Sequence, residues 1–150
     1  MTVSREVRSR EVLSRTVLDA GLAAAAAMVA VLTLVPAGRG WRWGAPVSEL
    51  RWYATSLSSE TAMLQLLGNL ALLGPLAALA VLRWPALTTR GRLVLAALTA
   101  GTAIELLQWL LPLGRVVSPV DALLNATGAV VVGLVVARMR DRVSSGVAAG

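Results

Sequence analysis

The chain has 150 residues, of which 57% are hydrophobic and 15% charged, and its mean hydropathy is +0.72. This balance excludes an ordinary soluble protein and leaves room for one domain. The 14 basic residues, all arginine, lie at the ends of apolar segments, so the net charge of +6 indicates membrane anchoring and no nucleic-acid partner. Cysteine and histidine are absent, so we expect no disulfide, no metal and no cofactor.

Four apolar runs of about twenty residues match the length of a helix that crosses the ~30 Å hydrocarbon core of a bilayer. Backbone amides in lipid need internal hydrogen-bond partners, which a helix supplies. The sequence therefore predicts an all-α membrane protein. We place its four transmembrane helices at about 17–35, 61–82, 91–111 and 119–137.

The chain begins with a polar, arginine-rich segment, residues 1–16, which predicts a cytoplasmic tail near anionic headgroups. The first span follows and contains small residues suited to close helix packing. A cleaved signal peptide is the alternative, because residues 35–37 resemble a cleavage site. The apolar run is longer than the roughly 7–15 residues of such a peptide, so a retained span is favoured.

Residues 36–60 contain glycines and prolines that break long elements, together with three tryptophans and a tyrosine. This composition is typical of a loop at the membrane interface and predicts a mobile aromatic flap. In the second span, Gly74 and Pro75 predict a kink, because proline frees a carbonyl group inside a helix.

The arginine distribution predicts the orientation. Ten arginines lie in the two tails and in the loop 83–92, whereas four lie in the other two loops. By the positive-inside rule, both termini are cytoplasmic, the second tail comprising residues 139–150. The aromatic segment and the turn 112–118 are then outside the cell.

Polar side chains interrupt the last three spans at corresponding depths. At about 1.5 Å of rise per residue, Asn69, Glu105 and Asn125 lie about 9–12 Å from the predicted outer surface. Hydrogen bonds that hold helices together explain Asn and Gln, but a carboxylate is costly in lipid, so Glu105 favours a functional polar cleft. The predicted ligand-binding residues are Asn69, Glu105, Gln108, Arg115, Asp121 and Asn125, with Arg115 and Asp121 at the mouth.

The ordered set of these residues resembles the VanZ-like family of small bacterial membrane proteins. The matching residues are Asn69 with Pro75, Glu105-Leu-Leu-Gln108, Gly114-Arg115, Asp121, Asn125 and Gly128. The chain departs from the family pattern at Leu73, Ala77 and Ser118-Pro-Val-Asp121, where one carboxylate stands in place of an acidic cluster. The resemblance implies a VanZ-like domain over residues 17–138, a place in the bacterial cytoplasmic membrane and a link to teicoplanin resistance. It also gives Gly128 a structural role like that of Gly74 and Pro75.

Three functions are compatible with this pattern. The first is a protein that binds or shields a lipid, a cell-envelope precursor or a glycopeptide, with Arg115 on its phosphate or carboxylate. The second is a membrane enzyme with Glu105 as general base, Asp121 as its partner and Arg115 stabilising an oxyanion. The third is a small assembly or transport subunit with a membrane partner protein or a second copy of itself. Binding is favoured over catalysis because histidine and cysteine are missing.

Overall fold

The structure, a computed structural model, describes residues 2–148, with the side chains of residues 12–142 and 145. Most of this part of the chain is helical. The helices are α1 (Thr2–Leu34), α2 (Pro46–Thr55), α3 (Glu60–Leu72), α4 (Gly74–Arg83), α5 (Arg90–Leu110) and α6 (Pro119–Ala148), with a short 3-10 helix at Pro85–Thr88. Two strands, β1 (Gly40–Trp43) and β2 (Leu113–Val117), complete the fold.

Four helical segments in the described residues are long and apolar enough to cross a membrane, as the hydropathy predicted. They are Val12–Leu34, Glu60–Arg83, Arg90–Leu110 and Pro119–Arg142. The second is not one kinked helix but two, α3 and α4, which meet at Leu73 (φ −90°, ψ −2°) directly before Gly74 and Pro75. Proline has no amide hydrogen to donate into the preceding turn, so the hydrogen-bond ladder stops there.

The expectation of a wholly helical protein is corrected by a small parallel sheet. Strand β1 follows α1 and strand β2 follows α5, and Arg42 is paired with Val116 and Trp43 with Val117. Backbone groups of two segments that end side by side need partners, and pairing them satisfies both. The predicted turn 112–118 is therefore largely a strand. The predicted flap at 36–60 contains β1 and α2 and is packed against it.

The strands, α2 and the first turns of α3 and α6 lie together, and we call this region the sheet end of the bundle. Helix α6 packs against α3, α4 and α5, while α1 packs mainly against α4. The approach of α6 to α3 is very close, since a β-carbon on Gly128 would lie 1.7 Å from the Leu70 carbonyl oxygen. Gly74 is buried in the same bundle and Pro75 is exposed.

At the opposite end, arginines from the predicted cytoplasmic set join the helices. Arg83 Nε donates to Asp19 Oδ1 at 2.7 Å and so ties α4 to α1. Arg140 Nη1 donates to the Val81 carbonyl oxygen at 3.2 Å, near the C-terminus of α4, where helix carbonyls lack internal partners. Helices α1 and α6 continue into the segments predicted as tails, from Thr2 and to Ala148.

Candidate functional site

A cavity of about 570 Å³, here called the polar cavity, lies at the sheet end between α3, α5, α6 and β2. All six predicted ligand-binding residues contribute to its wall. Gln65 and Arg42 join them, together with apolar and glycine residues. The wall is completed by Leu32, Thr33, Ala37, Gly68, Leu72, Ile104, Gly114 and Val116. Asn69, Glu105 and Asn125, which helical rise predicted to lie at one depth, thus share one cavity in the structure.

Glu105 is 7% exposed and is held by the start of the next helix. Its Oε2 accepts a hydrogen bond from the backbone N–H of Ser118 at 2.7 Å. A buried carboxylate without partners is very costly, and this bond supplies one. The contact also ties the last turns of α5 to the first residue before α6.

Ser118 is fully buried and is the N-cap of α6. Its Oγ accepts from the N–H groups of Val120 and Asp121, at 3.0 and 3.1 Å. Its hydroxyl hydrogen is donated to Oε2 of Glu49, a residue of α2. Glu49 thereby brings a third carboxylate close to Glu105 and Asp121. The Ser118 hydroxyl thus donates one hydrogen bond and accepts two, and it joins α2 to the start of α6.

Asp121 lines the polar cavity and is joined to α2 by Tyr53. The Tyr53 hydroxyl donates to Asp121 Oδ1 at 3.2 Å. Burial, and next the negative charge of Asp121, raise the pKa of Tyr53, so its phenol remains a neutral donor. Tyr53 is 6% exposed, which shows that the predicted mobile flap is anchored here.

Two amide side chains of the polar cavity have atoms without partners. Asn125 is 1% exposed, and its Oδ1 has no hydrogen-bond partner among the described residues. The same holds for Nδ2 of Asn69, which lies near the Asp121 carboxylate without making a hydrogen bond of acceptable geometry. Native proteins rarely leave such atoms unpaired, and an unbonded buried group costs about 1–3 kcal/mol. One unpaired donor and one unpaired acceptor therefore belong to residues of the cavity wall.

Gln108 and Arg115 use part of their hydrogen-bonding capacity on the end of α1. Gln108 Nε2 donates to the Thr33 carbonyl oxygen at 3.1 Å, and Arg115 Nε donates to that of Val35 at 2.9 Å. The two terminal NH₂ groups of Arg115 have no protein partner within the described part of the chain. Together with Arg42, they add basic groups to the wall of a cavity that also contains Glu105 and Asp121.

Gly114 lets the strands meet beside this wall. Its φ of +67° is in the left-handed region that favours glycine, and a β-carbon there would lie 2.4 Å from the carbonyl carbon of Gly38. The N–H groups of Ala37 and Gly38 both donate to the Leu113 carbonyl oxygen, at 2.9 and 3.1 Å. The Gly-Arg pair of the sequence thus combines a backbone joint with a charged side chain.

Sequence reasoning missed Glu49, Tyr53, Ser118 and Arg42 as parts of this site. Two signals were available. Glu49 is the only acidic residue between Pro36 and Ser59, which is unusual for a segment assigned to membrane anchoring. Ser118 followed by proline, with an acidic residue three positions on, is an N-cap pattern. No local signal indicated that α2 folds back onto α6.

The chain matches a known protein family. The family model described as VanZ/LLP1 matches residues 14–140. No curated protein matches the chain, and no solved structure does. The matched range contains every residue that lines the polar cavity, from Leu32 to Asn125.

Proposed function

The chain belongs to the VanZ/LLP1 family, and from this premise we propose that it is a membrane protein that binds the polar headgroup of a lipid or cell-envelope precursor in the polar cavity. The family match and the four apolar helices support a multi-pass membrane protein. The observation that carries the binding proposal is Asn125, almost fully buried at the cavity wall with its Oδ1 unpartnered. A ligand hydroxyl or amide that donates to this atom removes the cost of leaving it unpaired.

The charged residues of the polar cavity indicate which chemical groups the ligand carries. Arg42 and Arg115 supply guanidinium groups suited to a phosphate or carboxylate, which such groups bind by paired hydrogen bonds. Glu105 and Asp121 lie on the helical side and accept hydrogen bonds from hydroxyl, amide or ammonium groups. The headgroup therefore combines an anionic group with hydrogen-bond donors.

The positive-inside distribution of arginine supports placing the sheet end in the outer leaflet. In that position, the cavity is open to envelope precursors and to glycopeptides that act on them. Family membership supports a contribution to teicoplanin-type resistance by binding or shielding such a molecule. Under this proposal, Glu105→Gln abolishes the resistance phenotype while the amount of protein in the membrane is unchanged.

Native mass spectrometry after gentle purification tests binding directly. The wild-type protein is expected to retain a lipid or precursor, and Asn125→Ala and Glu105→Gln are expected to lose it. Thr127→Ala is the matched control, because Thr127 is exposed on the same helix and does not line the cavity. Retention of the same molecule by both cavity variants would refute binding in the polar cavity.

The enzyme alternative has one observation in its favour, since Glu105 and Asp121 share a cavity. Against it, the hydroxyl of Ser118 is buried and fully hydrogen-bonded, so it is not available as a nucleophile. A changed headgroup in lipid extracts of overexpressing cells, absent with Asp121→Asn, would support catalysis. Unchanged lipid extracts favour binding alone.

A further inference from the structure

A second cavity, of about 550 Å³, lies beside Glu105, between α5, α6 and the end of β1. We call it the apolar groove. Its wall is formed mainly by leucine and tryptophan side chains, including Leu98, Leu106, Leu123 and Trp109. Glu105 is the only ionisable residue in this wall, and it is also part of the wall of the polar cavity.

The groove is suited to hydrocarbon and not to water. A water molecule needs two to four polar partners, and apart from Glu105 the groove offers little beyond the Thr102 hydroxyl. Its side chains are also turned outward, since Leu106 is 53% and Leu123 57% exposed. Both belong to segments apolar enough to cross a membrane, so lipid is the medium that they face.

The dimensions fit a chain lying along α5. From Leu98 to Trp109, the helix advances by about 16 Å at its usual rise. The exposed rings of Trp43 and Trp109 border the groove at the sheet end, where tryptophan favours the interface between headgroups and hydrocarbon. The groove therefore runs from an interfacial border toward the membrane interior, and Glu105 lies beside the border.

Glu105 belongs to both walls, so the polar cavity and the apolar groove are adjacent at this residue. We propose, resting on the headgroup site proposed above, that the ligand is a phosphate-bearing lipid that binds from the side, with its hydrocarbon chain in the apolar groove and its headgroup in the polar cavity. Its phosphate lies toward Arg42 and Arg115, and Glu105 marks the junction of chain and headgroup. The site thus selects a lipid and not a water-soluble glycopeptide.

The test compares two classes of variant by native mass spectrometry, with phosphatidylglycerol as the probe. Thr102→Trp fills the groove from an exposed position of α5, and Val31→Trp places the same ring on an exposed position of α1 that lines neither the groove nor the polar cavity. We expect Thr102→Trp to lower lipid occupancy at least tenfold, Asn125→Ala to lower it as well, and Val31→Trp to leave it unchanged.

The outcomes separate the two proposals. Loss of lipid with Asn125→Ala but not with Thr102→Trp overturns the groove and leaves headgroup binding intact. Retention by both variants overturns both proposals, and loss with Thr102→Trp alone overturns the claim that one molecule fills both spaces.

A second measurement uses the unmodified protein and so does not depend on the folding of a variant. Phosphatidylglycerol with a photoreactive group on its acyl chain is expected to crosslink mainly to residues 98–109 and to Leu123. Crosslinks spread evenly around the bundle would contradict the proposal.

Discussion

The carboxylate of Glu105 accepts a hydrogen bond from the backbone N–H of Ser118 at 2.7 Å, across the joint between α5 and α6. The bond stabilises the joint and keeps the carboxyl group of Glu105 at the wall of the polar cavity. Stability therefore depends on the oxygen acceptor of this side chain, whereas the proposed ligand binding depends on the whole carboxyl group.

This difference predicts distinct effects for two substitutions. Glu105→Gln keeps an oxygen that accepts from Ser118, so the unfolding midpoint in detergent is expected to change little. Glu105→Ala leaves the buried N–H unpaired and is expected to cost about 1–3 kcal/mol. Thermal unfolding of the purified variants measures both, and equal midpoints for the two variants would show that the hydrogen bond does not contribute.

The Ser118 cap predicts a second effect on stability. Ser118→Ala removes the acceptor for two N–H groups at the start of α6, and loss of such a cap costs about 0.5–2 kcal/mol. It also deprives Glu49 of its donor. Ser145→Ala, at an exposed position of the same helix, is the control and is expected to stay within about 0.5 kcal/mol of wild type. Comparable losses for the two alanines would argue against the cap.

The contact between α3 and α6 predicts that alanine changes the free energy of unfolding differently at two glycines. Gly128→Ala places a β-carbon against the Leu70 carbonyl oxygen, so the helices must separate, at a cost of about 1–3 kcal/mol or more. Gly68→Ala meets no atom within 4 Å and is expected to be neutral or to stabilise α3 by up to about 1 kcal/mol. Unfolding midpoints of the two variants provide the comparison. A Gly128→Ala protein as stable as wild type would contradict the close approach.

The environment of Tyr53 predicts that its phenol ionises at an unusually high pH. This ionisation is directly observable, since Tyr53 is the only tyrosine of the chain. Burial and Asp121 raise its pKa, so the folded protein keeps the phenol proton above the usual value of about 10. The stability that Tyr53 contributes is complete below that value and is lost as the pH rises above it. Near-ultraviolet absorbance of the tyrosinate follows the titration in detergent.

Asp121→Asn removes the negative charge that helps to raise the pKa of Tyr53, and it leaves the phenol buried. The tyrosinate signal is therefore expected to begin at lower pH than in wild type, yet still above that of free tyrosine. An unaltered titration in this variant would mean that Asp121 does not act on the phenol.

The candidate site was predictable from the sequence where it depends on helices. Asn69, Glu105 and Asn125 were placed at one level by helical rise, and all three line the polar cavity. The resemblance to VanZ-like proteins is confirmed by the family match. The contribution of α2 was not predictable, because residues 36–60 have no periodic pattern and their contacts lie far away in the chain.

Hydropathy and helical periodicity alone determined that the chain has four segments long enough to span a membrane and which polar residues interrupt them. Both properties depend on local geometry, a fixed rise per residue and the cost of polar groups in lipid. Only the tertiary structure decided the partners of the carboxylates. Glu49 meets Ser118 across 69 positions, and Tyr53 meets Asp121 across 68. These contacts lie beside the parallel pairing of β1 with β2, which joins segments that follow α1 and α5 and needs a glycine at position 114 for the close approach to Gly38.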